Sequence, residues 1–241
     1  MLETSFKMDC LQKNFKMKSP VYILMLSVFL FTSCGNNENN QQITQNDSAI
    51  EQETVATTDL KTILFFGNSL TAGYGLEPSQ AFPALIMEKL DSMGLPYTVI
   101  NAGVSGETTS GGSERIDWIL RQPVDVFVLE LGANDGLRGI PVNETKKNLQ
   151  TIIDKVKQKY PDVILVLAGM QVPPNMGAEY SKEFREIFPE LAQKNDMILI
   201  PFLLEGVGGE RDLNQADGIH PTAEGHEILA DNIWQAIKDS I

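Results

Sequence analysis

Residues 61–66 read KTILFF and run directly into GNSLTAGYG at 67–75. A short, almost continuously apolar run that ends in a glycine-rich turn reads as a strand covered on both faces. The figure recurs along the chain. Tyr97–Ile100 precedes NAGVSGETT, Val124–Leu131 (VDVFVLEL) precedes GANDG, and Val163–Ala168 (VILVLA) and Met197–Phe202 repeat the apolar run. Between these runs the apolar residues fall at helical spacing: Phe82, Leu85, Ile86 and Leu90 in Ala81–Ser92, and Ile116, Ile119 and Leu120 in Ser113–Arg121. Asn143–Lys159, stopped by Pro161, Glu179–Lys194 and Ala223–Ile237 complete the set. The order is βαβαβαβαβα. Right-handed crossovers then predict an α/β fold: a single three-layer, flavodoxin-like domain over 60–241 with a five-stranded, parallel, doubly wound sheet. In such sheets ligands bind beyond the carboxyl ends of the strands, so residues capable of chemistry belong in the turns that follow them.

Ser69 sits two residues beyond the first run, in a turn tight enough to need glycine. A serine there can present its hydroxyl at the top of the sheet, as a nucleophile must. It can equally cap the following helix. The glycine-rich second turn can aim a backbone N–H at a developing oxyanion, and in the third the side-chain amide of Asn134 can join it. A plain strand-to-helix turn is the alternative for both. Before the last helix, Asp217 and His220 stand three apart in DGIHP. The carboxylate can hold the ring nitrogen remote from the serine, or it can cap that helix. His226 falls inside the helix, where a surface or groove position suits it better than the role of base.

With 32 acidic residues against 19 basic and a formal net charge of -13, the surface repels phosphate backbones, and no nucleic-acid partner is expected. The two cysteines, Cys10 and Cys34, both precede the domain, which excludes a disulfide framework or thiolate metal site within it. Two histidines argue against a zinc centre. No dinucleotide fingerprint or phosphate loop is present, so neither metal nor cofactor is expected.

Lys13, Lys16 and Lys18 precede an apolar run at Val21–Phe31. That run is shorter than the roughly 20 residues a spanning helix needs and reads as a signal peptide over 1–33. Cys34 follows directly, which resembles a bacterial lipoprotein signal and implies a lipid on its thiol. Residues 34–59 are almost wholly polar and read as a flexible tether. The expectation is an exported monomer, anchored by lipid to the bacterial envelope on the periplasmic side or in the outer membrane.

Four blocks together resemble the SGNH, or GDSL-type, hydrolase superfamily: FFGNSLTAGYG around Ser69, NAGVSGETT around Gly106, ELGANDGLRG around Asn134, and DGIHPTAEGH around Asp217 and His220. The likeness runs from about Thr62 to Trp234. LGANDGLRG, PFLLEGV and DGIHP are most similar to bacterial periplasmic multifunctional esterases, active as thioesterase, arylesterase and lysophospholipase. By position the resemblance implies Ser69 as nucleophile, His220 as base and Asp217 as its partner, with oxyanion donors at Ser69, Gly106 and Asn134. Asn68 departs from the family, which has Asp before the serine. The substrate implied is a small acyl ester or thioester. Leu137, Ile140, Val172 and Met176, in the third and fourth turns, favour an acyl chain over the acetylated sugar that the same catalytic set could also serve. A lipoprotein that binds ligand without catalysis is the remaining reading.

Overall fold

In β1 every residue after Lys61 is buried, as a strand flanked by helices on both faces must be. The computed structural model describes residues 60–241. The signal peptide expected at 1–33, the tether at 34–59 and the lipidated Cys34 lie outside the described residues. The elements are β1 (Lys61–Gly67), α1 (Ser69–Ala72), α2 (Phe82–Ser92), β2 (Tyr97–Gly103), α3 (Thr109–Ile119), β3 (Val126–Glu130), α4 (Ala133–Leu137), α5 (Val142–Lys159), β4 (Ile164–Ala168), α6 (Ala178–Asn195), β5 (Ile198–Ile200) and α7 (Ala223–Ile237).

The strands form one sheet in the order β2-β1-β3-β4-β5, with every neighbouring pair parallel. The chain steps from β1 to β2 in one direction, then back across β1 to β3. Right-handed crossovers therefore place α2 on one face and α3, α5 and α6 on the other. The packing agrees: α2 meets α7, α3 meets α5, and α5 meets α6. Phe65 packs edge-on to Phe82 of α2 at 5.5 Å, while Phe66, its neighbour on the opposite face, lies 5.7 Å from Phe127. This is the doubly wound, three-layer architecture that the apolar runs predict.

Register positions the chemistry. Gly67 at the end of β1 is level with Gly103 of β2 and with Glu130 of β3. The turns carrying Ser69, Gly106 and Asn134 thus leave the sheet side by side, at the point where the strand order reverses.

The structure differs locally from the sequence reading at three places. The third helix starts at Thr109 rather than Ser113 because Thr108 caps it, its side chain accepting from Gly111 N–H. Gly112 then allows close approach to the sheet, since a Cβ there would lie 2.5 Å from Leu131 Cδ1. β5 is shorter than expected, and α1 and α4 are short helices in turns that carry no helical periodicity.

Candidate active site

Asn68 leads from β1 into α1 and caps it: its Oδ1 accepts from Leu70 N–H at 3.0 Å. Ser69 is therefore the first helical residue and its hydroxyl is not used for capping. Its Oγ lies 2.9 Å from His220 Nε2 and makes a longer approach, 3.4 Å, to Asn68 Oδ1.

His220 Nδ1 lies 2.7 Å from Asp217 Oδ2, while Asp217 Oδ1 accepts from the N–H groups of Ile219 and His220 at 3.0 and 3.1 Å. The hydrogen bond with His220, supported by those two N–H donors, holds the Asp217 carboxyl down from 3.8 to about 2. An ionised carboxylate accepts only, so the ring carries its proton on Nδ1 and turns a lone pair on Nε2 toward Ser69. Asp217 is not the cap of α7; Thr222 fills that place, accepting from Gly225 N–H. Gln215 braces the loop. Its side chain donates to Tyr74 O at 2.7 Å and Pro221 O at 2.9 Å, and its N–H donates to His220 O at 2.7 Å. The Tyr74 ring lies over the His220 ring, with centroids 4.5 Å apart.

The groups expected to donate to an oxyanion occupy the neighbouring turns. Gly106 has φ +80°, a conformation that suits glycine, and its N–H and that of Ser69 donate to no acceptor among the described residues. Asn134 Nδ2 donates one hydrogen to Glu107 O at 3.0 Å, which orients the amide and leaves its second hydrogen free. The Gly106–Glu107 segment is held from two sides. Arg138 donates to Gly106 O at 3.0 Å. Arg115 pairs with the Glu107 carboxylate, donates to Ala102 O, and lies 4.0 Å over the Phe66 ring. The structure thus brings Ser69, His220 and Asp217 into direct contact and ties Asn134 to the loop of Gly106. The arrangement can deprotonate a hydroxyl and offer N–H groups to an oxygen that gains charge.

His226, expected at a surface or groove position rather than as the base, is buried against the start of α2. It is 1% exposed, its Nδ1 accepts from Phe82 N–H at 3.1 Å, and its ring stacks on Phe82. Burial, then the charge of His220, pulls it down from 6.5 to about 4. It is a neutral cap for the start of α2. Of the apolar residues expected near an acyl chain, Leu137 is exposed one turn beyond Asn134. Val172 instead packs against the core, close to Gly136.

Residues the sequence reading did not single out are Tyr74, Gln215, Glu107, Arg115 and Glu130. Glu130 alone carried a usable signal, as the one charge in a strand otherwise made of Val, Phe and Leu. A carboxylate in such a place must have partners.

Comparison with known proteins places these features in a family. A sequence profile described as the GDSL-like Lipase/Acylhydrolase family matches residues 65–228. The chain is 38% identical over 179 residues to Esterase TesA of Pseudomonas aeruginosa, an alignment that covers 74% of this chain and 88% of that protein. It is also 38% identical over 176 residues to Thioesterase 1/protease 1/lysophospholipase L1 of Escherichia coli, covering 73% and 81% respectively. Among solved structures, the psychrotrophic esterase EstA from Pseudoalteromonas sp., described as inhibited by monoethylphosphonate, matches with a TM-score of 0.70 at 34% identity, covering 74% of this chain and 97% of that one.

Proposed function

The chain belongs to the GDSL-like lipase/acylhydrolase family and is a serine esterase of that type; we propose that its acyl-enzyme forms on Ser69. The observation that supports this reading is the contact chain Ser69 Oγ to His220 Nε2, 2.9 Å, and His220 Nδ1 to Asp217 Oδ2, 2.7 Å.

In the proposed reaction His220 Nε2 takes the Ser69 proton as Oγ attacks the ester carbonyl. The oxyanion that forms is met by the N–H groups of Ser69 and Gly106 and the free amide hydrogen of Asn134. His220 then returns its proton to the leaving alcohol or thiol as the bond to it breaks. Water, deprotonated by the same nitrogen, attacks the acyl-enzyme, and His220 passes that proton to Ser69 Oγ as the acyl bond breaks and the acid is released. Asp217 holds the imidazole in the required tautomer and stabilises the imidazolium.

Substitution of Ser69 or His220 by Ala is expected to lower turnover of p-nitrophenyl butyrate by about 10⁴-fold or more, and Ser69→Ala to abolish labelling by a fluorophosphonate. Labelling of Ser69→Ala at the wild-type rate overturns the assignment.

The substrates proposed are acyl esters and thioesters of the aryl ester and lysophospholipid kind, in keeping with the names of the relatives and with the exposed Leu137 beside Asn134. A panel of p-nitrophenyl esters of increasing acyl length, an acyl thioester and a lysophospholipid tests this. Preference for an acetylated polysaccharide over every member of the panel refutes it. We further propose that Cys34 carries a lipid that holds the esterase at the bacterial envelope, on the strength of the basic, apolar and Cys segments at residues 13–34. Radiolabelled palmitate should be incorporated by the wild type and not by Cys34→Ala.

A further inference from the structure

Beneath the turn that carries Ser69 lies a carboxylate the reaction does not use. Glu130, the last residue of β3, is 1% exposed. Its Oε2 accepts from Asn68 N–H at 3.0 Å, Thr71 N–H at 3.2 Å and Thr71 Oγ1 at 2.7 Å. Its Oε1 accepts from Asn68 Nδ2 at 2.6 Å. All four donors belong to the residues immediately before and two after the nucleophile. The fit is close enough to dictate Gly67, where a Cβ would lie 2.5 Å from Glu130 Oε2 and 2.0 Å from Thr71 Oγ1.

We propose that Glu130 is a positioning residue for the nucleophile, that its carboxylate fixes the turn bearing the Ser69 hydroxyl and N–H, and that Asn68 is the partner matched to it. The inference rests on Ser69 being the nucleophile. The match lies in the hydrogen-bond inventory. Asn68 turns its oxygen to Leu70 N–H and its nitrogen to Glu130, so both neighbours fix the amide orientation. The family takes its name from G-D-S-L, whereas this chain reads Gly67-Asn68-Ser69-Leu70. An aspartate at 68 would set two carboxyls against each other with a proton to share; the asparagine supplies the donor itself. Burial pushes the Glu130 carboxyl up from 4.5 and the donors on Thr71 and Asn68 pull it part of the way back, which leaves it at about 7.

The test is a reciprocal exchange. In Glu130→Gln the new NH2 group faces Asn68 Nδ2. Turning Asn68 to meet it would set that nitrogen against Leu70 N–H, so one buried donor is left unsatisfied either way. Phosphonylation of Ser69 in the folded protein by a fluorophosphonate, with loss of fluoride, is expected to slow about tenfold or more, with kcat for p-nitrophenyl butyrate falling and KM held. Adding Asn68→Asp restores a donor–acceptor pair with the roles reversed: the carboxylate introduced at position 68 accepts from the amide introduced at position 130 and from Leu70 N–H. The double variant should return to within about threefold of the wild-type rate. Glu130→Gln that melts lower yet is phosphonylated at the wild-type rate when folded overturns the proposal, because Glu130 then only stabilises. A double variant no faster than Glu130→Gln, or one that also fails to fold where Glu130→Gln fails, overturns the pairing. Recovery of folding and phosphonylation in the double variant alone supports it. Ser69→Ala separates the two levels: persistent labelling there defeats the nucleophile assignment itself, whereas its loss beside an unaffected Glu130→Gln defeats only the role of Glu130.

Discussion

Replacing His226 by Asn should remove a specific part of the acid sensitivity of the fold, and the structure supplies the size. The buried ring accepts from Phe82 N–H through Nδ1. Protonation destroys that acceptor, strands an N–H at the start of α2, and places a charge among apolar side chains. The folded-state value of about 4 lies below the ordinary 6.5, so between these limits the unfolded chain binds more protons than the native one, and stability falls as pH falls. Above 6.5 both states are neutral and nothing is lost. At pH 5 the loss is about 2 kcal/mol, and below 4 it levels off at about 3 kcal/mol. Glu130 acts in the opposite sense. Its raised value of about 7 against 4.5 means the native state holds the extra proton between those limits, so its contribution is present at low pH and lost as pH rises through about 7. The wild-type curve mixes the two effects, but the wild-type minus His226→Asn difference isolates the histidine, because Asn can still accept from Phe82 N–H while carrying no proton. Urea unfolding followed by circular dichroism at half-unit steps from pH 8 to 4.5 measures that difference. It should narrow by about 2 kcal/mol between pH 7 and pH 5, as the wild type loses stability that the variant keeps. A difference that stays flat over that range would falsify the buried-neutral account of His226.

Asp217→Asn keeps the oxygen that accepts from Ile219 and His220 N–H, so the loop should survive, but its NH2 forces the His220 proton onto Nε2. The expected loss in kcat is about 10⁴-fold with unchanged circular dichroism, and a loss below tenfold refutes the tautomer argument. Asn134→Ala should lower kcat about 10²- to 10³-fold with little change in KM on p-nitrophenyl butyrate; a change confined to KM would instead make Asn134 a substrate-binding group. Gly67→Ala places a methyl group within 2.8 Å of Glu130 O and closer still to two buried side-chain oxygens. A cost of about 3 kcal/mol in thermal unfolding is expected, and a melting temperature equal to wild type would show that the turn can yield.

The sheet was legible because each strand is a nearly unbroken apolar run, and a strand covered on both faces admits little else. α7 was legible to its boundaries, Ala223–Ile237, because its phase is uninterrupted. The start of α3 was not. Gly111 and Gly112 read locally as loop, and only the approach of the helix to Leu131 and Phe66 explains why glycine is used at 112. The short helices α1 and α4 exist because a strand end delivers the chain into a capped or glycine-led turn, a cause that no window of four or five residues can contain.

The contacting groups of the site were readable for a related reason. Ser69, Asp217 and His220 each occupy a local pattern, and the three-residue spacing of Asp217 and His220 allows their contact, while leaving a helix cap as the alternative for Asp217. The groups that hold them in place have no such pattern. Glu130 meets Asn68 across 62 residues and His226 meets Phe82 across 144, and neither partner announces the other. A charge inside a buried strand does say that donors must exist somewhere, and a histidine within an apolar helix says the same of its ring nitrogens. Such residues are better read as unmet polar demands than as surface exceptions. Applied to Glu130, that rule points to a buried cluster at the carboxyl end of β3, which by the parallel register lies level with Gly67, the residue from which the nucleophile turn departs.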